Sequence, residues 1–356
     1  MRLRDLILVP AIISSMAFNT LAQDHKQPEI RKVYVASRGD NGFASNENKT
    51  INYETPVNLY AVASTDSSGK TLYFSDSDSL IIDGRVIPKG DIRRFPSYVS
   101  SSWFKVENDS RGTAFSNASK GYNWDHWDEL DYAETPLGLG NTIHTDVSPT
   151  ILDAVKLNGI SVGTMRYGLV LNNGGQVFKS PGIESTFKGG ISEKVHRVSV
   201  KGNTGNEIVD NAFSLCNNPY IWASSSLTGS KYDNQAERFI GADCADLCVA
   251  AARLAGHDSM FYTSSHGLKD QMKVVTCVTD IQPNGVYLND NHPLTRAKPG
   301  DFIQWNGHVG ILVEDNKPKG ILDSSDKVLH TLFKEPKLEQ INTAYGGDFR
   351  VLRVRK

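Results

Sequence analysis

Apolar and polar positions divide the chain into two regions with different patterns. Between residues 53 and 200, short apolar runs at 57–62, 72–74 and 80–82 are separated by glycine, asparagine, aspartate and serine. Close spacing of this kind is typical of strands in a sandwich or a partly closed barrel. The pattern therefore predicts a β-rich N-terminal domain over residues 53–200.

The pattern changes after a polar, glycine-bearing run near residues 201–206. Helical spacing is seen over 207–215 and again over 244–255, where Gly256 would end the second helix. Strand-like runs then follow at 301–305, 308–315, 320–322, 327–333 and 348–354. Helix followed by antiparallel strands is an α+β pattern, so an α+β domain is predicted over residues 201–356.

The first 22 residues are assigned to export rather than to the fold. Arg2 and Arg4 precede a mostly apolar stretch, and Thr20-Leu21-Ala22 offers small residues at the two positions that a signal peptidase reads, which predicts a cleaved signal peptide over residues 1–22. An uncleaved anchor is the alternative. Residues 23–52 are polar and are predicted to form a mobile lead-in. The mature protein is thus expected in the periplasm or outside the cell, with no stable membrane insertion after cleavage.

Charge and motif content narrow the function. The chain has 38 Lys and Arg against 40 Asp and Glu, a net charge of −2, so no basic excess is present to neutralise nucleic-acid phosphates. Nucleic acid is therefore not expected as a partner. The sequence contains no His-Glu-x-x-His, paired Cys-x-x-Cys, phosphate-loop or dinucleotide motif, and no metal or organic cofactor is expected.

Cys244 is the first candidate for chemistry, because it falls in the first turn of the predicted 244–255 helix. Unpaired N–H groups and the helix dipole favour an anion there, and this position can lower the pKa of a thiol. The negative charge of Asp246 would oppose that effect. The disulfide state of the other cysteines, Cys216, Cys248 and Cys277, is left open by the sequence.

His308 is the candidate base for such a thiol. Asn306-Gly307 between two apolar strands predicts a hairpin turn with positive φ at both central positions, and His308 would begin the returning strand. Gly310 would lie on the same face and leave room beside the imidazole. A thiolate–imidazolium pair is the expected activated form. His330 is the preferred group to orient His308, and Asp323 is the alternative if the following hairpin is short.

Four segments in order resemble blocks of the NlpC/P60 cysteine peptidases: 219–224, 243–247, 299–301 and 308–311. The resemblance covers about residues 205–356. It implies a papain-like α+β fold and hydrolysis of an amide in bacterial cell-wall peptides, so peptidoglycan is the expected partner. The sequence departs from the family where Ala245-Asp246 replaces Ser-Gly after the cysteine.

The resemblance also implies roles for individual residues. Cys244 would be the nucleophile, His308 the general base and His330 the third polar residue. Tyr220 would help to bind the developing oxyanion, together with a backbone N–H group beside Cys244. An N-acetylmuramoyl-L-alanine amidase, another amide or acyl hydrolase or transferase, and a catalytically silent wall-binding module are the alternatives.

Overall fold

The computed structural model describes residues 29–355 except 40–41, 110–113, 119–129, 152–153, 188, 224, 227, 279, 283, 290, 294–296 and 317–318. The predicted signal peptide at residues 1–22 therefore lies outside the described residues. So do residues 23–28 of the predicted lead-in. Within the described part, none of the helices has the length and hydropathy needed to cross a bilayer.

Strands make up most of the described chain before residue 201. Their bounds are β1 Ile30–Arg38, β2 Ala44–Ser45, β3 Lys49–Ile51, β4 Val57–Ser67, β5 Lys70–Phe74, β6 Leu80–Ile82, β7 Arg85–Ile87, β8 Ile92–Arg93, β9 Val99–Asn108, β10 Ala114–Ser116, β11 Tyr132–Leu139, β12 Thr142–Thr145, β13 Lys156–Leu157, β14 Ile160–Ser161, β15 Gly163–Asn173, β16 Gln176–Lys179, β17 Thr186–Phe187, β18 Gly190–Ile191 and β19 His196–Val200. Short 3₁₀ turns lie at Lys89–Asp91 and Ile183–Ser185.

Two sheets contain most of these strands. One has the order β7-β6-β2-β1-β4-β5-β8, with β12 also paired to β4. The other has the order β11-β9-β15-β19-β3, with β16 paired to β15. The sheets of the molecule include a nearly closed barrel.

The prediction of a mobile lead-in over residues 23–52 is wrong where the structure describes that segment. Strands β1, β2 and β3 all lie within it, and β1 pairs with β4 along almost its whole length. Val33, Val35 and Ala36 are buried on β1, whereas Arg31 and Lys32 are exposed. The segment is polar in composition but still supplies enough buried apolar side chains to form part of a sheet.

The chain after residue 200 contains the helices and a third large sheet. The elements are α1 Glu207–Ser214, β20 Tyr220–Trp222, α2 Cys244–Leu254, α3 Leu268–Gln271, β21 Met272–Cys277, β22 Asp280–Ile281, β23 Tyr287–Asn289, β24 His292–Pro293, β25 Phe302–Trp305, β26 His308–Glu314, β27 Lys327–His330, β28 Lys337–Gln340, α4 Ile341–Ala344 and β29 Phe349–Val354, with 3₁₀ turns at Gln235–Arg238 and Ser265–Gly267. The large sheet has the order β21-β29-β25-β26-β27-β28.

Local capping explains where the two longer helices begin. Asn206 caps α1 by accepting hydrogen bonds from the N–H groups of Ile208 and Val209. Asp243 caps α2 in the same way, and Gly256 at φ +90° follows the end of that helix. Both helices were predicted from their spacing, to within one residue at each end.

The prediction of an α+β, papain-like fold is wrong. The protein is mostly β, with 45% of residues in strands and 14% in helices, arranged in several sheets. The helices predicted over 207–215 and 244–255 are present, but they are few and short beside the strands of the several sheets. Strands β21 and β28, which have no clear apolar alternation in the sequence, widen the sheet beyond the predicted strands.

One cluster of buried side chains connects the sheets of the first 200 residues with α1, α2 and the later sheet. Leu59 and Tyr167 from the earlier part and Phe213, Leu247 and Val309 from the later part all belong to it. In addition, β10 pairs in parallel with β20. The division into domains near residue 200 stays a prediction, with a continuous core on both sides of it.

Candidate active site

Cys244 is the first residue of α2, directly after the capping residue Asp243. Its side chain is 9% exposed, and all four cysteines have free thiols. Cys216 and Cys248 are fully buried, whereas Cys277 is partly exposed. Cys244 is therefore a free thiol at the start of a helix, as its position in the sequence predicts.

The surroundings of Cys244 disfavour a thiolate in the resting protein. Burial raises the pKa of the thiol, and the nearby carboxylates of Asp243 and Asp246 raise it further. A hydrogen bond from the N–H group of Val309 to the sulfur acts in the opposite direction but is outweighed. The expected lowering of the thiol pKa is therefore wrong, because burial exceeds the effect of the helix N-terminus.

Val309 follows His308 on strand β26. Its hydrogen bond to Cys244 therefore places the sulfur beside the start of that strand. Strands β25 and β26 form the predicted hairpin, in which Trp305 pairs with His308 across Asn306-Gly307. Of these two turn residues only Gly307 has a positive φ, of +83°. The expectation of positive φ at both positions is therefore wrong, although the position of the turn is as predicted.

The imidazole of His308 is enclosed by aromatic rings. It stacks on Trp305 with ring centroids 5.6 Å apart and lies 4.8 Å from the ring of Tyr345. The side chain is fully buried, and burial lowers the pKa of His308 to about 3. His308 is therefore neutral at physiological pH, and a preformed thiolate–imidazolium pair is not present in the unliganded site.

One ring nitrogen of His308 has a partner and the other does not. Nε2 of His308 lies 2.9 Å from Nδ1 of His330. Nδ1 of His308 is buried, and no described group forms a hydrogen bond with it. Nδ1 is consequently the atom of this ring that is available to a thiol or a substrate.

The register of β26 and β27 selects His330 over Asp323. Ile311 pairs with Leu329, which sets His330 across from Gly310. A Cβ on Gly310 would come within 3.0 Å of the Cβ of His330, so the glycine provides room for His330. The space that Gly310 was predicted to leave beside the imidazole of His308 is therefore occupied by His330. Asp323 instead accepts hydrogen bonds from the backbone and hydroxyl of Ser325, away from His308.

Tyr220 also lies close to Cys244. It is on β20, its ring packs against Phe333 at 5.4 Å, and it is almost fully buried. Burial raises the pKa of Tyr220, and the nearby carboxylate of Asp243 raises it further. The structure thus brings Tyr220, Cys244, His308 and His330 into one region.

The expected backbone oxyanion donor beside Cys244 already has a partner. The N–H groups of Ala245 and Asp246 both donate to Oδ1 of Asp243 at 2.9 Å. This cap stabilises the start of α2. The N–H group of Ala245 is therefore engaged by the cap in the unliganded protein.

Glu339 is the site residue that the sequence reasoning missed. Its Oε2 atom lies 2.9 Å from Nε2 of His330 and 2.9 Å from Nζ of Lys337. Alternation of charged residues along 337–340 was the one available signal, and it is equally typical of a solvated edge strand. The hydrogen-bonded series therefore continues from His308 through His330 to a carboxylate.

The described residues contain no group of three or more His, Cys, Asp and Glu side chains arranged to hold a metal ion. Comparison of the chain with models of protein families, with curated proteins and with solved structures finds no match in any of the three.

Proposed function

We propose that the protein is a cysteine hydrolase in which Cys244 attacks an amide carbonyl and His308 accepts the thiol proton. The observation that carries the proposal is the position of the Cys244 sulfur. This sulfur accepts a hydrogen bond from the backbone N–H group of Val309, the residue after His308. Nδ1 of His308, which is buried and has no hydrogen-bond partner among the described residues, is the proposed base. A nucleophile, a base and a group that orients the base are the parts that covalent catalysis requires.

The proton movements follow from these atoms. As the bond between sulfur and carbonyl carbon forms, the thiol proton passes to Nδ1 of His308. The imidazolium then returns this proton to the amine as the C–N bond breaks, which leaves a thioester on Cys244. Water, deprotonated by His308, hydrolyses the thioester and releases the free thiol. Because both groups are neutral at rest, the proton moves during attack rather than before it.

Bacterial cell-wall peptide is the proposed substrate. The support is the ordered resemblance of residues 219–224, 243–247, 299–301 and 308–311 to blocks of the NlpC/P60 cysteine peptidases. A signal peptide over residues 1–22 would bring the protein to the periplasm or outside the cell, where peptidoglycan lies. Tyr220, which lies close to Cys244, is proposed to help bind the oxyanion.

Digestion of purified peptidoglycan, with fragments identified by mass spectrometry, tests this proposal. The wild-type protein is expected to release peptide fragments, and Cys244→Ala to lower the rate by at least about 10³-fold. Cys248→Ala is the matched control, since it removes a buried thiol one turn further along α2. Equal activity of the Cys244→Ala and Cys248→Ala proteins would contradict the role of Cys244. The mass of each fragment also separates peptide cleavage from amidase cleavage next to the glycan.

A catalytically silent wall-binding protein is a second candidate, favoured by the burial that raises the pKa of Cys244. The two candidates differ in thiol reactivity. In an enzyme, replacing His308 by Ala slows alkylation of Cys244 by iodoacetamide, because the base that accepts its proton is lost. In a silent module the same replacement leaves the alkylation rate of Cys244 unchanged.

A further inference from the structure

Glu339 lies where it can act on His308 through His330. Strands β27 and β28 pair with Val328 opposite Glu339 and His330 opposite Lys337. Residues two apart on a strand share a face, so Glu339 and His330 are diagonal neighbours on one face of the sheet. The distance of 2.9 Å between Oε2 of Glu339 and Nε2 of His330 fits a charge-assisted hydrogen bond.

The carboxylate of Glu339 is held in its ionised form. Burial opposes ionisation, but hydrogen bonds from Lys337 and His330 lower the pKa of Glu339 below its usual value. The side chain is 29% exposed, and Nζ of Lys337 lies 2.9 Å from the same oxygen that faces His330. At neutral pH this oxygen can therefore only accept hydrogen bonds.

An ionised Glu339 fixes the proton positions on both histidines. Nε2 of His330 must carry a proton in order to donate to the carboxylate, which leaves Nδ1 of neutral His330 as an acceptor. Nε2 of His308, 2.9 Å from that acceptor, must then carry the proton of its ring. Nδ1 of His308 consequently has a free lone pair, which is the state that a general base requires.

We propose that Glu339 is a positioning residue that sets the tautomer of His308 and stabilises its imidazolium through His330. This inference rests on the proposed function of Cys244 and His308. During attack the thiol proton moves to Nδ1 of His308, while Nε2 of both histidines and the carboxylate of Glu339 keep their protonation states. The negative charge of Glu339 favours the positive charge that develops on His308, as an orienting carboxylate does in a catalytic triad.

Substitution of Glu339 by Gln tests the role of its charge. The amide retains nearly the same shape and can still accept a hydrogen bond from His330, but it lacks the charge and can also donate. We expect kcat for peptidoglycan hydrolysis to fall by about tenfold or more while KM changes little, since Glu339 contacts no substrate in this arrangement. The alkylation rate of Cys244 is expected to fall in parallel at pH 7.

Glu314→Gln is the matched control. Glu314 lies on β26 of the same sheet, its Oε2 is 2.9 Å from Nζ of Lys327, and its side chain is 34% exposed. The substitution therefore removes the same charge from a similar ion pair that does not touch either histidine. Its kcat and alkylation rate should equal those of the wild type. Cys277, which is partly exposed, serves as an internal reference for the alkylating reagent.

The outcomes separate this inference from the proposed function. If His308→Ala leaves the alkylation rate of Cys244 unchanged, the proposed function is wrong, and the proposed role of Glu339 is then wrong as well. If His308→Ala slows alkylation but Glu339→Gln does not, only the role of Glu339 is overturned. Imidazole ¹⁵N NMR of the wild-type protein gives a readout that needs no variant. A proton on Nδ1 of neutral His308 would overturn the inference, and one on Nε2 supports it.

Discussion

At the scale of single residues, the site combines a buried thiol with a buried imidazole, and burial acts against the charged form of each. It raises the pKa of Cys244 and lowers that of His308. A neutral pair of this kind avoids the cost of two desolvated charges while no substrate is bound. In the proposed mechanism, proton transfer is then coupled to formation of the bond between sulfur and carbonyl carbon. The lone pair on Nδ1 of His308 must already point toward the thiol.

Asp246 offers a way to test how electrostatics restrain the thiol. Its carboxylate raises the pKa of Cys244, and its Oδ1 accepts a hydrogen bond from Asn234 at 3.3 Å. Asp246→Asn removes the charge and retains an acceptor of the same shape. The pKa of Cys244 should fall, so alkylation at pH 8 should become faster, by about threefold or more. Mass spectrometry of the modified Cys244 peptide measures this rate.

Asp258→Asn is the control for this prediction, because Asp258 is an exposed residue just beyond the end of α2. It makes the same chemical change without altering the surroundings of the sulfur, and its alkylation rate should match that of the wild type. An Asp246→Asn protein that reacts at the wild-type rate, or more slowly, would show that Asp246 does not restrain the thiol.

Cys244 and His308 could be chosen from the sequence because each has a local signal, a helix start for one and a turn for the other. The state of these groups could not be predicted in the same way. Their burial comes from aromatic rings such as Tyr345 and Tyr220, which approach from distant parts of the chain. Glu339 had only the non-specific signal of charge alternation along 337–340, because its proposed role depends on which strand lies beside β27.

At the scale of elements, the register between β26 and β27 decides which residue meets His308. The sequence left His330 and Asp323 open because the connection between these strands has no turn motif of fixed length. A register shift between Leu312 and Glu314 also changes the offset between the two strands by one residue. Such an irregularity depends on the packing of the whole sheet, so alternation alone cannot locate it.

Gly310 is the position through which this register can be tested. In Gly310→Ala the new Cβ would lie 3.0 Å from the Cβ of His330 and 3.2 Å from the carbonyl oxygen of Leu329. Both contacts are tighter than a Cβ normally makes, so His330 and its strand would have to shift by a few tenths of an ångström. We expect kcat for hydrolysis to fall by about two- to tenfold, since a shift of this size costs less than the roughly hundredfold loss of a 1 Å misplacement.

Gly138→Ala is the control for the effect of an added methyl group on a strand. Gly138 lies on β11, and a Cβ at this position would meet no other atom within 4 Å. Its activity should equal that of the wild type, and circular dichroism should show folded protein in both variants. Full activity of Gly310→Ala would mean that the spacing between His308 and His330 does not limit catalysis.

At the scale of the whole molecule, the short sequence blocks that carry the chemistry did not predict the architecture. They cover β20, the start of α2, the turn before β25 and the first half of β26, which is a small part of the strands in the molecule. The fold class depends on how many strands join each sheet and on the buried cluster shared by Leu59, Tyr167 and Leu247. None of these properties is encoded within a single segment, so local motifs can suggest a site without defining its scaffold.

Buried histidines also make the stability of the whole molecule depend on pH. Burial lowers the pKa of His196 to about 4 and that of His308 to about 3, against 6.5 for an exposed histidine. Between pH 7 and pH 5 the unfolded chain therefore binds protons that the folded protein excludes. The stability that the two neutral histidines contribute is fully present above pH 6.5, and it is lost as the pH falls toward their lowered pKa values. Each of the two histidines should remove about 2 kcal/mol from the free energy of unfolding at pH 5.

Urea unfolding at pH 7 and pH 5 measures this loss, and His196→Asn isolates one contribution. Asn can still donate to the carbonyl of Asn46, which Nδ1 of His196 approaches at 3.2 Å, but it takes up no proton. The difference in free energy of unfolding between the two pH values should shrink by about 2 kcal/mol in this variant. His292→Asn makes the same change at an exposed position and should leave the difference as in the wild type. An unchanged difference in His196→Asn would mean that His196 is protonated in the folded protein, and the acid sensitivity would then have to arise from other groups.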